Sequence, residues 1–392
     1  MTDNIDHVTT SSEPVERDQS SSSTPSKVDS LLSDLTGDRF GEWYRERTYR
    51  QNIENGTPYF NGPSSVPAIE QHSPSKLLKC HRQVIYQQYN APQEKSDPNG
   101  IFWFGTRFEE DVAFPFLEQA ITESNTYVQN SVWVNFRVET GGVELEIRGE
   151  TDPLIVDANA VPILPTEIKT KSSIEHTSSP NRSHRAQLHA YMVGLSKKYD
   201  IDLTKGVIMY GSRESLDVKI FHVEFDMEFW EDIVLEWAAS HTEYRLKNKL
   251  PPADPEHDWE CKFCAYRERC GKGDIGYADI GSYGLLPGYS GYPKEKIIEY
   301  LDAHDEAQIT PLIAEEYPEL AIEYDVVSWF CPECAFSFDW DAVETRATGD
   351  SEPLCPNCAA NDRLIELRVP LPEEQSLDRG DTNSPEGGNQ NE

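Results

Sequence analysis

Apolar and polar positions repeat with two different periods along the middle of the chain. A helical period over Lys76–Tyr89 and Phe104–Ile121 predicts two helices, whereas Val132–Val138 and Val143–Ile147 read as strands joined by the turn Gly141-Gly142. In the second of these strands Val143, Leu145 and Ile147 alternate with Glu144, Glu146 and Arg148, so one face is apolar and the other polar. Short strands follow around Leu154–Val156 and Ile163–Thr170, then a helix from about Ser183 to Lys197, strands near Gly206–Tyr210 and Val218–Phe225, and a helix over Glu228–Asn248. This mixed order predicts an α/β layer, a central mixed sheet flanked by helices. Further on, Pro293–His304 and Thr310–Tyr317 read as two short helices. Their many acids favour a packing linker over half of a helix-turn-helix. No internal repeat and no phosphate-binding G-x-x-x-x-G-K-[ST] segment occurs, which argues against an ATP-driven motor.

The ends of the chain lack these periods. Residues 1–36 and 371–392 are rich in Ser, Thr, Asp, Glu and Gly, and both are expected to be disordered tails. Between them the expected organisation is a main α/β domain over 37–274, a helical linker over 275–325 and a small ribbon over 326–370. A length of 392 residues suits two or three such units.

Charge complicates the search for a partner. Lys and Arg number 35 against 69 Asp and Glu, a formal charge of −34, which ordinarily argues against nucleic acid. A lysine-poor acidic protein is also what molar salt selects, because the Debye length there shrinks to about 3 Å. The acidity is therefore read as halophilic adaptation. General disorder is excluded by 37% hydrophobic content with eight Trp and eighteen Tyr. Neither a membrane span nor a secretory signal is apparent, so a cytoplasmic location is expected, where eight cysteines are better explained as metal ligands than as disulfides.

The strand Ile163–Thr170 contains Glu167-Ile168-Lys169, and its pleat sends Glu167 and Lys169 to one face while Ile168 points into the core. Asp152 lies fifteen residues upstream, where one strand ends and turns towards the next. If these strands are neighbours, Asp152 and Glu167 share a hard divalent cation such as Mg²⁺ or Mn²⁺. Such an ion makes a nucleophilic water available near neutral pH, which phosphodiester hydrolysis needs, and Lys169 would orient that water and offset phosphate charge. On the following helix Gln187 and Tyr191 share a face at i, i+4 spacing, where they could grip a phosphate or hold the lysine. Upstream, Gly105-x3-Glu109 opens a helix and could bring another carboxylate to the metal, with Glu110 as a competitor. Singly each piece is more often surface polarity. The ordered set Gly105-x3-Glu109, Gly149-x2-Asp152, Glu167-x-Lys169 and Gln187-x3-Tyr191 resembles the motifs of the RecB-like branch of the PD-(D/E)XK nucleases, over roughly Lys76 to Gly271. The resemblance implies a restriction-endonuclease-like fold, Asp152, Glu167 and the main-chain carbonyl of Ile168 as metal ligands, and Lys169 as the catalytic lysine. Many RecB-like members carry His where this chain has Glu109; a Glu there resembles other branches and bears on metal preference.

The cysteines form two sets of four. Cys261-x2-Cys264-x5-Cys270 follows the helix Glu228–Asn248, and Cys80 far upstream is the remaining candidate ligand; ligation would staple the two ends of the segment. A four-thiolate site suits zinc or iron–sulfur. The layout resembles the cluster-bearing subgroup of RecB-like nucleases, which includes the CRISPR-associated nucleases and the nuclease domain of the AddB subunit, and this resemblance implies a structural [4Fe-4S] cluster. Cys331-x2-Cys334 and Cys355-x2-Cys358, twenty residues apart, have the two-knuckle spacing of a Zn²⁺ ribbon. Phe330, Phe336, Phe338, Trp340 and Leu364–Leu367 make a core too small to fold without the metal.

For DNA, the segment Lys169–Arg185 is locally basic through Lys169, Lys171, Arg182 and Arg185, with Lys79, Arg82 and Arg107 on the early helices. Phe102, Trp103 and Phe104 are assigned to core packing rather than base stacking. The resemblance implies a metal-dependent deoxyribonuclease, an exonuclease or end-trimming enzyme on single-stranded or frayed DNA, serving with CRISPR integration proteins or in repair and recombination. Two rival readings are a non-catalytic DNA- or protein-binding module and a ribbon-based transcription factor.

Overall fold

The structure, a computed structural model, describes residues 28, 35–54, 66–94, 99–121, 123–274, 278–279, 281, 283–284, 286, 292–343, 353–371 and 374. The expected tails fall almost wholly outside the described residues. The chain divides into two compact units, Met1–Gly62 and Pro63–Glu392. In the first, helix α1 (Gly37–Glu54) carries exposed Phe40 and Trp43; the apolar pattern gave no expectation for it.

The second unit begins with the short strand β1 (Gln71–His72) and helix α2 (His81–Gln88). The helix expected over Lys76–Tyr89 is broken. Pro74–Lys76 forms a tight 3₁₀ turn and Leu78 adopts φ +56°, so Cys80 is not inside the helix but is the residue that immediately precedes it, without a side-chain capping bond. Helix α3 runs from Asn99 to Ala120, five residues earlier than expected, and is interrupted by a π-helical turn, Glu109–Ala113. Then come β2 (Thr126–Gln129), which the periodicity did not reveal, β3 (Trp133–Thr140), β4 (Val143–Glu150), β5 (Leu154–Asp157) and β6 (Pro162–Lys171). Helix α4 (Arg182–Tyr199) crosses over to β7 (Lys205–Ser212), β8 (Val218–Glu224) follows, and helix α5 starts as a π-helical segment, Phe229–Leu235, and continues over Glu236–Leu246.

Five strands form a mixed sheet in the order β2-β5-β6-β7-β8; only β6 and β7 are parallel, as the helical crossover between them requires. β3 and β4 form a hairpin closed by Gly141 (φ +57°) and Gly142 (φ +79°), and β1 pairs with β4. The neighbouring strands β6 and β7 are covered on both faces. On one side Ile168 and Met209 pack under Phe108, Ala113 and Leu117 of α3; on the other Ile208 and Tyr210 meet Leu188, Tyr191 and Met192 of α4. Two glycines permit these close contacts. A Cβ on Gly211 would sit within 2.6 Å of the Phe108 ring, and one on Gly194 would meet Val134 and Phe136 at 2.9 Å.

Beyond the sheet, the 3₁₀ turn Asp258–Phe263 leads into the cysteine segment. Tyr266 of that segment and Tyr86 of α2 share one apolar core with Leu286, Ile297, Leu301, Ile309 and Ile313, so α6 (Lys294–Ala303) and α7 (Pro311–Glu316) pack directly on it. Buried Arg269 fastens this junction, pairing with Asp279, donating to the Tyr300 hydroxyl at 3.1 Å and lying 5.1 Å from the Tyr86 and Tyr300 rings. Near the C-terminus β9 (Trp329–Phe330) and β10 (Ser337–Phe338) pair antiparallel, and single bridges Phe330–Arg368 and Leu354–Glu366 extend the pairing. Trp329 and Leu367 pack among Cys331, Cys355 and Cys358. Among the described residues no helix is long and apolar enough to cross a membrane.

The aromatic run before Gly105 corrects one expectation. Phe104 packs beside Phe108, but Phe102 and Trp103 are 61% and 51% exposed, because the amino end of α3 projects past the sheet that buries its later turns.

Gly211→Ala is expected to destabilise the protein by about 1–3 kcal/mol, since the added methyl must push the Phe108 ring out of a filled space. Thermal unfolding checks this, and Gly100→Ala, where nothing lies within 4 Å of the new carbon, serves as the reference.

Candidate active site

The site is built where a strand ladder stops. β5 pairs with β6 only from Leu154–Pro165 onward to Val156–Pro162, leaving the β5 side of residues 166–168 without a strand neighbour. The chain just ahead of β5 supplies the missing partners. The Thr166 hydroxyl donates to the Pro153 carbonyl, and Oδ2 of Asp152 accepts the Ile168 N–H at 2.6 Å. Asp152 is thereby locked beside Glu167 and Lys169, which share the face of the sheet covered by α4, as the pleat demands.

The geometry among these groups is tight. Nζ of Lys169 touches Oε1 of Glu167, lies 3.7 Å from Oδ2 of Asp152, and donates to the Ile168 carbonyl at 3.2 Å. Glu167 is fully buried, and beyond the lysine contact neither of its oxygens completes a hydrogen bond. Burial, reinforced by the like charge of Asp152, pushes its pKa well above the carboxylate range, against the pull of Lys169 and the Tyr191 hydroxyl. Burial alone would lower the Lys169 pKa, but Glu167 and Asp152 reverse the shift and hold it charged.

Gln187 and Tyr191 stand behind Glu167. Nε2 of Gln187 donates to the Tyr191 hydroxyl at 2.6 Å, one turn along α4. The tyrosine is itself held neutral by burial and by the charges of Glu167 and Asp152. Glu109 opens the π-helical turn of α3, half-buried, and its pKa rises to about 7 through burial and the neighbouring Asp152. Its competitor Glu110 points to solvent and pairs with Arg107 at 3.1 Å.

Of the cations named from sequence, several are already committed. Arg82 donates to the carbonyls of Pro251 and Cys270, and Arg185 lies over the Phe229 ring and 3.6 Å from Asp226. Lys171 donates to Asn181 Oδ1 at 3.0 Å over the Tyr210 ring. The Tyr210 hydroxyl, which sequence reasoning missed, binds the Asn181 N–H and His184 Nδ1 and so organises the start of α4. Burial and the charges of Lys169, Lys79 and Lys171 lower the His184 pKa to about 3, keeping it neutral.

The two cysteine sets differ in spread. Cys80, Cys261, Cys264 and Cys270 line a single cleft, with burial raising the thiol pKa of Cys80, Cys264 and Cys270. Among the described residues only Cys331, Cys334, Cys355 and Cys358 bring all their ligand atoms within 4.8 Å of one another. There Cys331–Cys358 and Cys334–Cys355 are both 3.7 Å apart. A tetrahedral zinc with Zn–S near 2.3 Å sets its sulfurs about 3.8 Å apart, so this set fits a single metal ion without rearrangement.

Comparison with known proteins follows the same lines. Residues 64–271 match the family profile described as the PD-(D/E)XK nuclease superfamily. Among solved structures, the crystal structure of SSO0001 is similar at 18% identity over 58% of this chain and 95% of that one, with a TM-score of 0.38. No curated protein matches.

The raised carboxylate pKa values carry a sign. With Glu109 titrating near 7 when folded and near 4.5 when unfolded, the folded protein binds the extra proton between those values. Stability without divalent metal therefore falls as pH rises through that window. Calorimetry at pH 5 and 8 after dialysis against metal-free buffer is expected to show this loss, Mg²⁺ or Mn²⁺ to reverse it at pH 8, and Glu109→Gln to shrink it.

Proposed function

The chain belongs to the PD-(D/E)XK nuclease superfamily, and on the geometry of its site we propose that it is a divalent-metal-dependent deoxyribonuclease that trims single-stranded or frayed DNA ends. One observation carries the reading: the Lys169 ammonium rests against Glu167, Asp152 and the Ile168 carbonyl, the three oxygen donors that would hold a cation. The ammonium stands in for such an ion. The buried Glu167 oxygens, lacking hydrogen bonds, fit the same demand, since an uncompensated buried carboxylate would otherwise protonate.

In this reading Asp152, Glu167 and the Ile168 carbonyl hold Mg²⁺ or Mn²⁺, with Glu109 completing the set. When bound, the ion supplies Lewis acidity and a water deprotonated near neutral pH. The remaining work belongs to the protein. The Ile168 N–H fixes the rotamer of Asp152, while Gln187 and Tyr191 fix Glu167 from behind. Lys169, charged and displaced from those oxygens when the ion is bound, would offset the negative charge of the phosphate and orient the attacking water. Exposed Phe102 and Trp103, on the helix that carries Glu109, support a substrate with unpaired bases.

The wider spacing of Cys80, Cys261, Cys264 and Cys270 around a cleft supports a [4Fe-4S] cluster rather than one zinc ion, because a cluster spreads its thiolates over a larger shell. Zinc at Cys331, Cys334, Cys355 and Cys358 then completes a ribbon. A role in CRISPR adaptation or DNA repair suits such end-processing.

Purified full-length protein in high KCl with Mn²⁺ is expected to degrade end-labelled single-stranded DNA. Lys169→Ala and Glu167→Gln should each lower the rate by on the order of 10³-fold; a mutant rate equal to wild type would remove the hydrolytic reading. Cys80→Ala is expected to abolish broad visible absorption and bound iron while leaving bound zinc unchanged, which metal analysis checks. A colourless wild-type protein holding only zinc would overturn the cluster assignment.

A further inference from the structure

Helix α4 presents three polar side chains along the face that meets the sheet, and the nuclease reading uses only two of them. His184, Gln187 and Tyr191 are spaced i, i+3, i+7, so they share one stripe of the helix. As the crossover between the parallel strands β6 and β7, α4 runs against them, and its contacts follow in that order. Tyr191 stands at Glu167, while at the entry to the helix Asn181 Oδ1 accepts from Lys171 at 3.0 Å. His184 falls between the two, opposite Lys169. Tyr210 fixes it there: it is the register partner of Lys169 on β7, and its hydroxyl lies 2.8 Å from Nδ1 of His184.

The hydrogen bonds at that hydroxyl decide which nitrogen of the imidazole carries the proton. The Tyr210 oxygen already accepts the Asn181 N–H at 3.0 Å, and the acceptor for its own proton among the described residues is Nδ1 of His184. With Nδ1 accepting, the ring proton belongs to Nε2. Among the described residues Nε2 forms no hydrogen bond, and His184 is only partly covered. That N–H is therefore left for a group entering from outside. Anchoring of the helix accounts for the Nδ1 side of the ring and gives the Nε2 side nothing to do.

The ring is also uncharged. Burial opposes protonation, and Lys169, Lys79 and Lys171 all repel a further positive charge. Such an imidazole is no general acid near neutral pH. It is a neutral donor, held in one orientation by the hydroxyl behind it, and it adds no fourth cation to the three lysines.

We propose that His184 is a further catalytic residue of this site: its Nε2–H, aimed by Tyr210, donates a hydrogen bond to a nonbridging oxygen of the phosphate that Lys169 neutralises. The assignment rests on the nuclease reading for the identity of that phosphate. No proton leaves the imidazole. Charge shifts among the phosphate oxygens as water attacks and the leaving oxygen departs, and a donor already in place strengthens with it at no cost of reorganisation.

The test compares steady-state cleavage of end-labelled oligothymidine with Mn²⁺ by the full-length protein and two variants. His184→Ala is expected to lower kcat by about 10²–10³-fold, the loss for one preorganised donor, with KM nearly unchanged. His184→Gln, whose amide can accept from Tyr210 and still present an N–H, should recover at least about tenfold of that loss. A histidine that only supports the fold predicts neither the split between kcat and KM nor the rescue. A phosphorothioate at the cleaved linkage adds a second readout: one diastereomer should react more slowly in wild type, and this sulfur effect should shrink in His184→Ala, where the donor that sulfur weakens is already gone. Independently of turnover, ¹⁵N NMR of the histidine side chains at pH 8 without divalent metal is expected to show His184 protonated at Nε2 alone, its signal assigned by its loss in His184→Gln. Unchanged kcat in His184→Ala, no rescue by His184→Gln, or a proton on Nδ1 overturns the assignment. Wild-type protein that cleaves nothing with Mg²⁺ or Mn²⁺ fails the nuclease reading itself and takes this role with it, an outcome distinct from an active wild type indifferent to His184.

Discussion

A fully buried carboxylate in the middle of a sheet is the constraint from which the rest of the site follows. Glu167 is fully shielded from solvent and makes no complete hydrogen bond, so its charge is tolerable only beside a cation. Everything around it serves that requirement. The early end of the β5–β6 ladder makes room for Asp152, the pleat brings Lys169 to the same face, and α4 closes the back with Tyr191 and Gln187. Replacing these groups with apolar ones would simplify folding, which makes a chemical purpose the economical explanation for keeping them.

Much of this was legible in the sequence because it depends on period and order. The pleat alone put Glu167 and Lys169 together and sent Ile168 to the core, and the structure agrees on both. The hairpin at Gly141-Gly142 and the crossover helix with Gln187 and Tyr191 follow from local rules. What sequence could not supply was the effect of tertiary contact. Strand β2 has no clear alternation, since Tyr127 is exposed and the strand exists by pairing with β5. The break at Leu78 is set by a positive φ that no propensity scale foresees, and it moves Cys80 from a helix interior to a helix entrance. Likewise the exposure of Phe102 and Trp103 depends on where the sheet beneath α3 ends.

The cations tell a similar story. Composition marked Lys79, Arg82, Arg107, Lys171 and Arg185 alike, and only geometry divides them. Arg82 is a brace between carbonyls of the cysteine segment, and Arg107 is neutralised by its own helix. Lys79 forms no ion pair among the described residues, although Glu167 and Glu260 act on its charge. In a chain of net charge −34, most cations are thus committed to the protein's own groups, and few are left to meet a polyanion.

The π-helical turn at Glu109–Ala113 sits between the docked half of α3 and the half that carries Phe102 and Trp103. A π turn is one residue inserted into an α-helix, and each residue rotates a helix by about 100°. Phe108 and Leu117 lie on either side of it and both reach the same core. Insertion or deletion of a single residue in this stretch would therefore swing one half of the helix away from the sheet. In this chain the length of the helix is therefore constrained, with Glu109 as the residue whose aim that length preserves.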